Sequence, residues 1–157
     1  MKPSSYVDRY TWDAVDPLAV TTLDHPVTDV YVTAVEGQTY LRNVFYVQDC
    51  IRFLRELQKK DIYDEGLADI AYNFYVGGDG HVYEGRGWQV APTLQHEGES
   101  HDVDGLAIAY IRPIPGSQPN ELMVSKVKEV IQEGIQNGYI DENCNIEGLT
   151  HELESAG

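Results

Sequence analysis

The chain has 157 residues, 42% of them hydrophobic, and its formal net charge is -15. This length and hydrophobic content fit one domain with one buried core and exclude global disorder. The negative charge excludes nucleic acid as a partner, because phosphate binding requires clustered Lys and Arg side chains.

The first elements that the sequence predicts are a strand and a helix. Val30–Val35 is β-branched and apolar, which is typical of a central strand. A later segment has apolar side chains on one helical stripe and charged side chains elsewhere, so it predicts a helix that ends near Lys60. The stripe consists of Val47, Ile51, Leu54 and Leu57.

A hairpin is predicted near the middle of the chain. In Tyr72–Val76 the side chains alternate between two faces, with the period of a strand. Gly77–Gly80 tolerates the positive φ angles that a tight reversal requires. His81–Glu84 then returns as the second strand of the hairpin.

The last third of the chain predicts one more strand and one more helix. Gly105–Ile111 is largely apolar, as in a buried strand. One face of this strand would carry Leu106, Ile108 and Tyr110, and the other Ala107, Ala109 and Ile111. Asn120–Asn137 has the pattern of an amphipathic helix, which Gly138 is placed to end. Strands mixed with helices over one core predict an α/β fold.

Neither the cysteines nor the histidines form a metal-binding pattern. Cys50 and Cys144 allow one disulfide at most, and whether they pair stays open. His96 and His101 lack the helical spacing of metal-binding histidines. Both lie in the acidic segment Gln95–Asp104, which is predicted to be a solvated loop.

The predicted hairpin also carries a family resemblance. Its strand, turn and following loop read Tyr72-Asn73-Phe74, Gly78-Asp79-Gly80 and Val82-Tyr83-Glu84-Gly85-Arg86-Gly87-Trp88. This order resembles the peptidoglycan recognition proteins, relatives of the zinc-dependent N-acetylmuramoyl-L-alanine amidases. The resemblance implies a single domain over residues 1–157, with a central mixed β-sheet flanked by helices and a groove over one face. It also implies that the family's C-terminal helix is missing, and that Cys50 is a buried thiol because Val44 replaces its family disulfide partner.

The resemblance further implies where a catalytic zinc ion would bind. The family uses a histidine at the end of the first central strand, a late histidine, and a cysteine soon after it. Thr33 stands in the first position, and Ala34 follows where the family often has another histidine. The late histidine corresponds to His151, but no cysteine follows it before Gly157. A threonine hydroxyl is a poor zinc ligand, so we expect no bound metal, no other cofactor and no amidase activity.

The same resemblance implies which residues line the groove. Tyr72 corresponds to a tyrosine that assists catalysis in active members, and without zinc its expected role is to line the groove. The remaining candidates are Asp61, Gly66, Leu67, Trp88 and Thr93. Several of these positions are histidine or tryptophan in other members. We therefore expect muropeptides to bind weakly or not at all.

The function that follows from the resemblance is that of a non-catalytic domain in innate immunity. The chain looks like the regulatory, long-type arthropod members of the family. Its expected partners are other peptidoglycan recognition domains, in an Imd-type signalling pathway. The alternative is a direct, non-catalytic peptidoglycan sensor, and a working zinc amidase is less favoured. An unrelated enzyme lacks support, because no Ser-His-Asp order or phosphate-binding glycine loop occurs.

The location follows from the resemblance alone. No apolar run is long enough to span a bilayer, and Met1–Ser5 is not followed by the apolar stretch of a signal peptide. These features by themselves leave a cytosolic protein or a piece of a longer one. The resemblance implies an extracellular domain, either secreted or the ectodomain of a membrane receptor.

Overall fold

The structure is a computed structural model that describes residues 5–36, 46–96, 98–112 and 117–148. Within these ranges the chain forms eight strands, two α-helices and a short π-helical turn at Lys60–Asp64. The helices are α1 (Val47–Lys59) and α2 (Glu121–Gln136). The strands are β1 (Tyr6–Val7), β2 (Val27–Glu36), β3 (Phe74–Val76), β4 (Val82–Glu84), β5 (Thr93–His96), β6 (Glu99–Asp102), β7 (Leu106–Arg112) and β8 (Ile140–Gly148).

A six-stranded mixed sheet forms the centre of the described part, in the order β1-β4-β3-β7-β2-β8. The β3–β4 hairpin is antiparallel, and the other neighbouring strands run parallel. The predicted strand Val30–Val35 lies within β2, between β7 and β8. The predicted α/β fold with a central mixed sheet is therefore confirmed.

One helix packs on each face of the sheet. Side chains of α2 such as Val127 share a core with Ile108, and side chains of α1 such as Leu54 share another with Ile111. This split follows the alternation of side chains along a strand. The two predicted faces of β7 are confirmed, since Leu106 and Tyr110 belong to the α2 side.

Two segments differ from the sequence predictions. The segment Gln95–Asp104 is not a loop, because it contributes to the antiparallel β5–β6 hairpin. That prediction is wrong because backbone pairing, together with a 2.6 Å hydrogen bond from the Thr93 hydroxyl to Asp102, outweighs the polar composition. The strand β8 was not predicted, because its polar side chains are mostly exposed and show no strand pattern.

The two described cysteines, Cys50 and Cys144, are not joined by a disulfide. Cys50 is fully buried in α1, which confirms the predicted buried thiol. Burial raises the pKa of the Cys50 thiol to about 12, with a smaller contribution from Asp79. The thiolate that would react with oxidants or alkylating reagents is therefore scarce at neutral pH.

Neither of the helices that the structure describes combines the length and apolar character required to cross a bilayer.

The ends of α2 match the sequence prediction closely. Asn120 is the N-cap, and its side-chain oxygen accepts a 2.7 Å hydrogen bond from the backbone N–H of Met123. Gly138 has a φ of 79°, the left-handed conformation that commonly follows the last residues of a helix.

Replacing the N-cap should destabilise the domain. We expect Asn120→Ala to lower the free energy of unfolding by about 1 kcal/mol, because the first turn of α2 loses one side-chain acceptor. Urea denaturation followed by circular dichroism measures this. Asn143→Ala, at an exposed position in β8, is the control, and an equal loss in both variants would contradict the capping role.

Candidate functional site

A groove of about 320 Å³ lies on the α1 side of the sheet, within the part of the chain that the structure describes. Its walls come from the end of β2, from α1 and the π-helical turn, from the segment before β3, and from β5. The lining residues are Val35, Glu36, Leu57, Lys60, Asp61, Glu65, Leu67, Ala71, Tyr72, Tyr75, Thr93 and Gln95. This volume falls in the range of small-ligand sites.

Four of the predicted groove residues line it: Asp61, Leu67, Tyr72 and Thr93. Gly66 is the neighbour of Leu67 and has a φ of 73°, a conformation that favours glycine. The turn around Gly66 is closed by a 2.9 Å hydrogen bond from the N–H of Leu67 to the carbonyl oxygen of Asp61. The chain thereby brings Leu67 back over the groove.

Thr33 and Ala34 occupy opposite faces of β2. Thr33 lies on the same face of β2 as Val35, because side chains two residues apart in a strand share a face. Val35 lines the groove and packs on the α1-side core. Ala34 instead packs against the α2-side core. The structure therefore places Thr33 on the face of the sheet that carries the groove and turns Ala34 away from it.

Trp88 does not lie in the groove. Its ring stacks on Tyr139, with centroids 4.9 Å apart, and contacts Phe74 at 4.6 Å. It lines a second cavity, beside α2 on the other side of the sheet. The sequence could not predict this, because Trp88 follows a loop and no strand alternation fixes its direction. His151 lies outside the described residues.

Asp61 is a buried carboxyl group, only 7% exposed. Its Oδ2 accepts a 3.0 Å hydrogen bond from the backbone N–H of Ala71. Burial raises the pKa of Asp61 to about 6, although the Ala71 hydrogen bond and the nearby Lys60 oppose this shift. The groove thus contains a carboxyl group that gains its charge just below neutral pH.

Tyr72 is half-buried beside Asp61. Its ring centroid lies 5.8 Å from that of Tyr75, and its backbone N–H donates a 3.0 Å hydrogen bond to the Tyr75 hydroxyl. Burial, and to a smaller extent Asp61, raises the pKa of the Tyr72 hydroxyl. Tyr72 therefore offers a neutral hydroxyl and an aromatic face to the groove.

Arg86 of the Tyr72–Trp88 motif has a structural role. The Arg86 side chain is buried, and its Nε donates a 2.7 Å hydrogen bond to the carbonyl oxygen of Ile70. Its Nη1 donates a second bond, of 2.9 Å, to the carbonyl oxygen of Ala91. These bonds fix the segments that precede Tyr72 and Thr93, which form two walls of the groove.

Four polar residues of the lining were not predicted from the sequence: Glu36, Lys60, Glu65 and Gln95. Lys60 Nζ lies 3.1 Å from Glu65 Oε1, within the π-helical turn and its C-cap. Surface charges of this kind show no distinguishing sequence pattern. Only their position in the folded chain identifies them.

Among the described residues, no group of three or more His, Cys, Asp or Glu side chains is arranged to hold a metal ion. Because His151 lies outside these residues, the geometry around it is not described. The absence of zinc therefore remains a prediction that rests on Thr33.

Comparison with known proteins identifies the family. No family model matches the chain. Peptidoglycan-recognition protein LC of Drosophila melanogaster is 31% identical over 136 residues, which is 86% of this chain but 25% of that protein. The chain thus spans about a quarter of this relative. Solved structures of two relatives superpose closely on the fold.

The first is the ectodomain of the Drosophila transmembrane receptor PGRP-LCa, with a TM-score of 0.77 and 28% identity over 96% of this chain and 87% of that one. The second is human PGRP-Iβ C in complex with glycosamyl muramyl pentapeptide, with a TM-score of 0.79 and 26% identity over 92% of this chain and 83% of that one. The chain carries the domain of the peptidoglycan recognition protein family.

The raised pKa of Asp61 predicts a pH-dependent stability. Between the ordinary pKa of 3.8 and the folded value of about 6, the folded state binds more protons than the unfolded state. The free energy of unfolding therefore falls as pH rises through this window. In Asp61→Asn, we expect the decrease of the free energy of unfolding with rising pH to be smaller than in the wild type by roughly 2 kcal/mol.

Urea denaturation at about pH 4 and about pH 7 measures the effect. Asp64→Asn is the matched control, because Asp64 is an exposed carboxylate of the same π-helical turn. An identical pH profile for wild type and Asp61→Asn would contradict the raised pKa of the Asp61 carboxyl group.

Proposed function

We propose that this chain is a single, non-catalytic peptidoglycan recognition domain that acts in innate immune signalling through contacts with related recognition domains. In this proposal muropeptides bind weakly or not at all, and no metal or cofactor takes part. The domain is extracellular, either secreted or part of a receptor ectodomain. Support for this location comes from a relative whose structure is that of a transmembrane receptor's ectodomain.

The observation that carries the proposal is the position of Thr33. It lies on the groove face of β2, where the family resemblance puts the first zinc ligand. Imidazole and thiolate bind zinc far better than a neutral hydroxyl group does. Without a metal-bound hydroxide, Tyr72 has no nucleophile to assist, and it serves as an aromatic wall of the groove.

The charges of the groove support weak binding of muropeptides. Glu36, Asp61 and Glu65 contribute carboxyl groups, whereas Lys60 is the single cation of the described lining. Lys60 is already paired with Glu65. Stem peptides of peptidoglycan carry carboxylates, so their approach to this wall is unfavourable.

A direct peptidoglycan sensor is the second candidate. It is favoured by the groove itself, which retains Tyr72 and a volume of about 320 Å³. The related human domain was solved in complex with glycosamyl muramyl pentapeptide. The two candidates differ in the affinity for muropeptides, which can be measured.

The first test addresses catalysis. We expect the purified domain to leave muropeptides intact when zinc is supplied, because Thr33 cannot replace an imidazole ligand. Mass spectrometry detects any released stem peptide, and elemental analysis measures bound zinc. Tyr72→Phe is the matched control and should behave like the wild type. Hydrolysis that Tyr72→Phe reduces, with zinc bound in equal amount to protein, would overturn the proposal.

The second test separates the regulator from the sensor. Calorimetry with diaminopimelate-type and lysine-type muropeptides should show affinities weaker than low micromolar. Glu65→Gln should strengthen any binding about twofold, because it removes a carboxylate and releases Lys60. Glu56→Gln, on an exposed part of α1 outside the lining, should have no effect.

Association is measured in the same samples. Sedimentation velocity with the ectodomain of Drosophila PGRP-LCa should reveal a complex without muropeptide. Low-micromolar muropeptide affinity, together with no such complex, would favour the sensor and refute the regulator.

A further inference from the structure

The carboxyl group of Asp61 lies in the wall of the groove with one of its oxygens unpaired. Oδ2 accepts the 3.0 Å hydrogen bond from the backbone N–H of Ala71. Oδ1 has no hydrogen-bond partner among the described residues. It is also not one of the unpaired side-chain atoms that the fold closes off from solvent. Oδ1 is therefore accessible from the groove, where it can accept a hydrogen bond from a ligand.

The two cations nearest to this carboxyl group are engaged with other residues. Lys60 Nζ lies 3.1 Å from Glu65 Oε1. The buried guanidinium of Arg86 donates to backbone carbonyl oxygens, and its Nη1 lies 3.8 Å from Asp102 Oδ1. Burial raises the pKa of Asp61 to about 6, and both cations oppose that shift only in part. The negative charge of Asp61 at neutral pH is thus incompletely compensated.

The other two carboxylates of the described lining already have cationic partners. Glu65 is paired with Lys60, and Glu36 Oε1 lies 3.8 Å from Nη1 of Arg112. Within this lining, Asp61 is the carboxyl group without an ion pair. A ligand that brings one positive charge would therefore be drawn to Asp61 rather than to the rim.

Two tyrosines adjoin the Asp61 carboxyl group. Burial, and to a smaller extent Asp61, raises the pKa of the hydroxyl groups of both Tyr72 and Tyr75, because the carboxylate lies close to them. Tyr75 is fully buried, and its hydroxyl oxygen accepts from the N–H of Tyr72. Tyr72 is half-buried and lines the groove, so its ring can contact a ligand. The face of an aromatic ring attracts cations.

The backbone around Asp61 is fixed before any ligand binds. Asp61 lies in the π-helical turn Lys60–Asp64, and the N–H of Glu65 closes this turn with a 3.0 Å hydrogen bond to the carbonyl oxygen of Lys60. The carbonyl oxygen of Asp61 itself accepts from the N–H of Leu67. Short π-helical segments are frequent at functional sites. A carboxyl group that is already in position lowers the entropic cost of binding.

We propose that the groove binds a small primary amine, whose ammonium group donates to Oδ1 of Asp61 and contacts the ring of Tyr72. A hydrogen bond between an ammonium group and a carboxylate is charge-assisted and therefore strong. The apolar part of the amine would lie against Leu57 and Leu67, which line the same groove. The inference rests on the proposed function in one respect, because it names the ligand class of the groove that disfavours anionic muropeptides.

Hexylammonium is the probe that tests this proposal, since it combines one positive charge with an apolar body. It is titrated into the isotopically labelled domain at neutral pH and low ionic strength, and nuclear magnetic resonance reports binding. We expect backbone shifts at Asp61, Ala71 and Tyr72, but not at Trp88 on the other side of the sheet. Hexanoate, of opposite charge, should not bind, and the neutral 1-hexanol should bind more weakly.

Two variants test the role of the carboxylate. Asp61→Asn retains a side-chain oxygen for the N–H of Ala71 but removes the charge, so it should weaken hexylammonium binding about tenfold. Asp64→Asn removes the same charge from an exposed position of the same turn and should leave binding unchanged. The spectrum of each free variant verifies that its fold is intact.

Protonation of Asp61 gives a test that needs no substitution. Affinity of the wild type for hexylammonium should fall roughly tenfold from about pH 7 to about pH 5, because the neutral carboxyl group loses its attraction for the ammonium group. The other titratable or charged groups that face Asp61 are those of Lys60, Glu65, Arg86, Tyr72 and Tyr75. Glu65→Gln should keep this pH dependence, and Asp61→Asn should lose it.

Three results would overturn the proposal: no binding of hexylammonium to the wild type, equal affinity for hexanoate, or unchanged affinity in a folded Asp61→Asn variant. The muropeptide titrations keep the outcome separate from that of the proposed function. Weak muropeptide binding without hexylammonium binding would refute the amine site alone. Low-micromolar muropeptide affinity would count against the proposed function, whatever the amine titrations show.

Discussion

The buried amide of Asn73 joins three segments of the chain next to the central sheet. Its side-chain nitrogen donates to the carbonyl oxygens of Gly87 and Val90, and its side-chain oxygen accepts from the N–H of Ala107. Gly85 can lie against this region because glycine has no Cβ. A Cβ at this position would collide with the carbonyl oxygen of Tyr72. These buried polar groups are costly to leave unpaired, so the loop after β4 has one favourable position.

That fixed loop serves both sides of the molecule. On the α1 side, Arg86 holds the backbone next to Tyr72 and Thr93, and so shapes the groove. On the α2 side, Trp88 emerges from the same loop and lines the second cavity, beside α2. The two concave surfaces thus share a support, although the sheet separates them. Their chemistry differs, since the groove contains a buried Asp61 and the second cavity is lined by aromatic rings such as Phe74 and Trp88.

The sequence predicted the elements that have strong local signals. The hydrophobic periodicity of α2, with Asn120 before it and Gly138 after it, located both of its ends. The alternation in β7 separated its two faces. By contrast, β8 and the β5–β6 hairpin are polar and mostly exposed, and they form through backbone pairing with neighbours that the sequence does not identify. Within the site, Asp61, Leu67, Tyr72 and Thr93 could be named in advance through the family resemblance, whereas the direction of Trp88 could not.

The sequence by itself determined the family and the identity of the residue at each motif position, including a hydroxyl group at Thr33 in place of an imidazole. Those facts depend only on the order of residues along the chain. The tertiary structure alone decided which side chains share a surface and how far each is buried. Asp61 gains a pKa of about 6 because folding removes water from it, and Trp88 stacks on Tyr139 although the two residues lie far apart in the sequence. Such properties arise from distances across the fold, which no local pattern encodes.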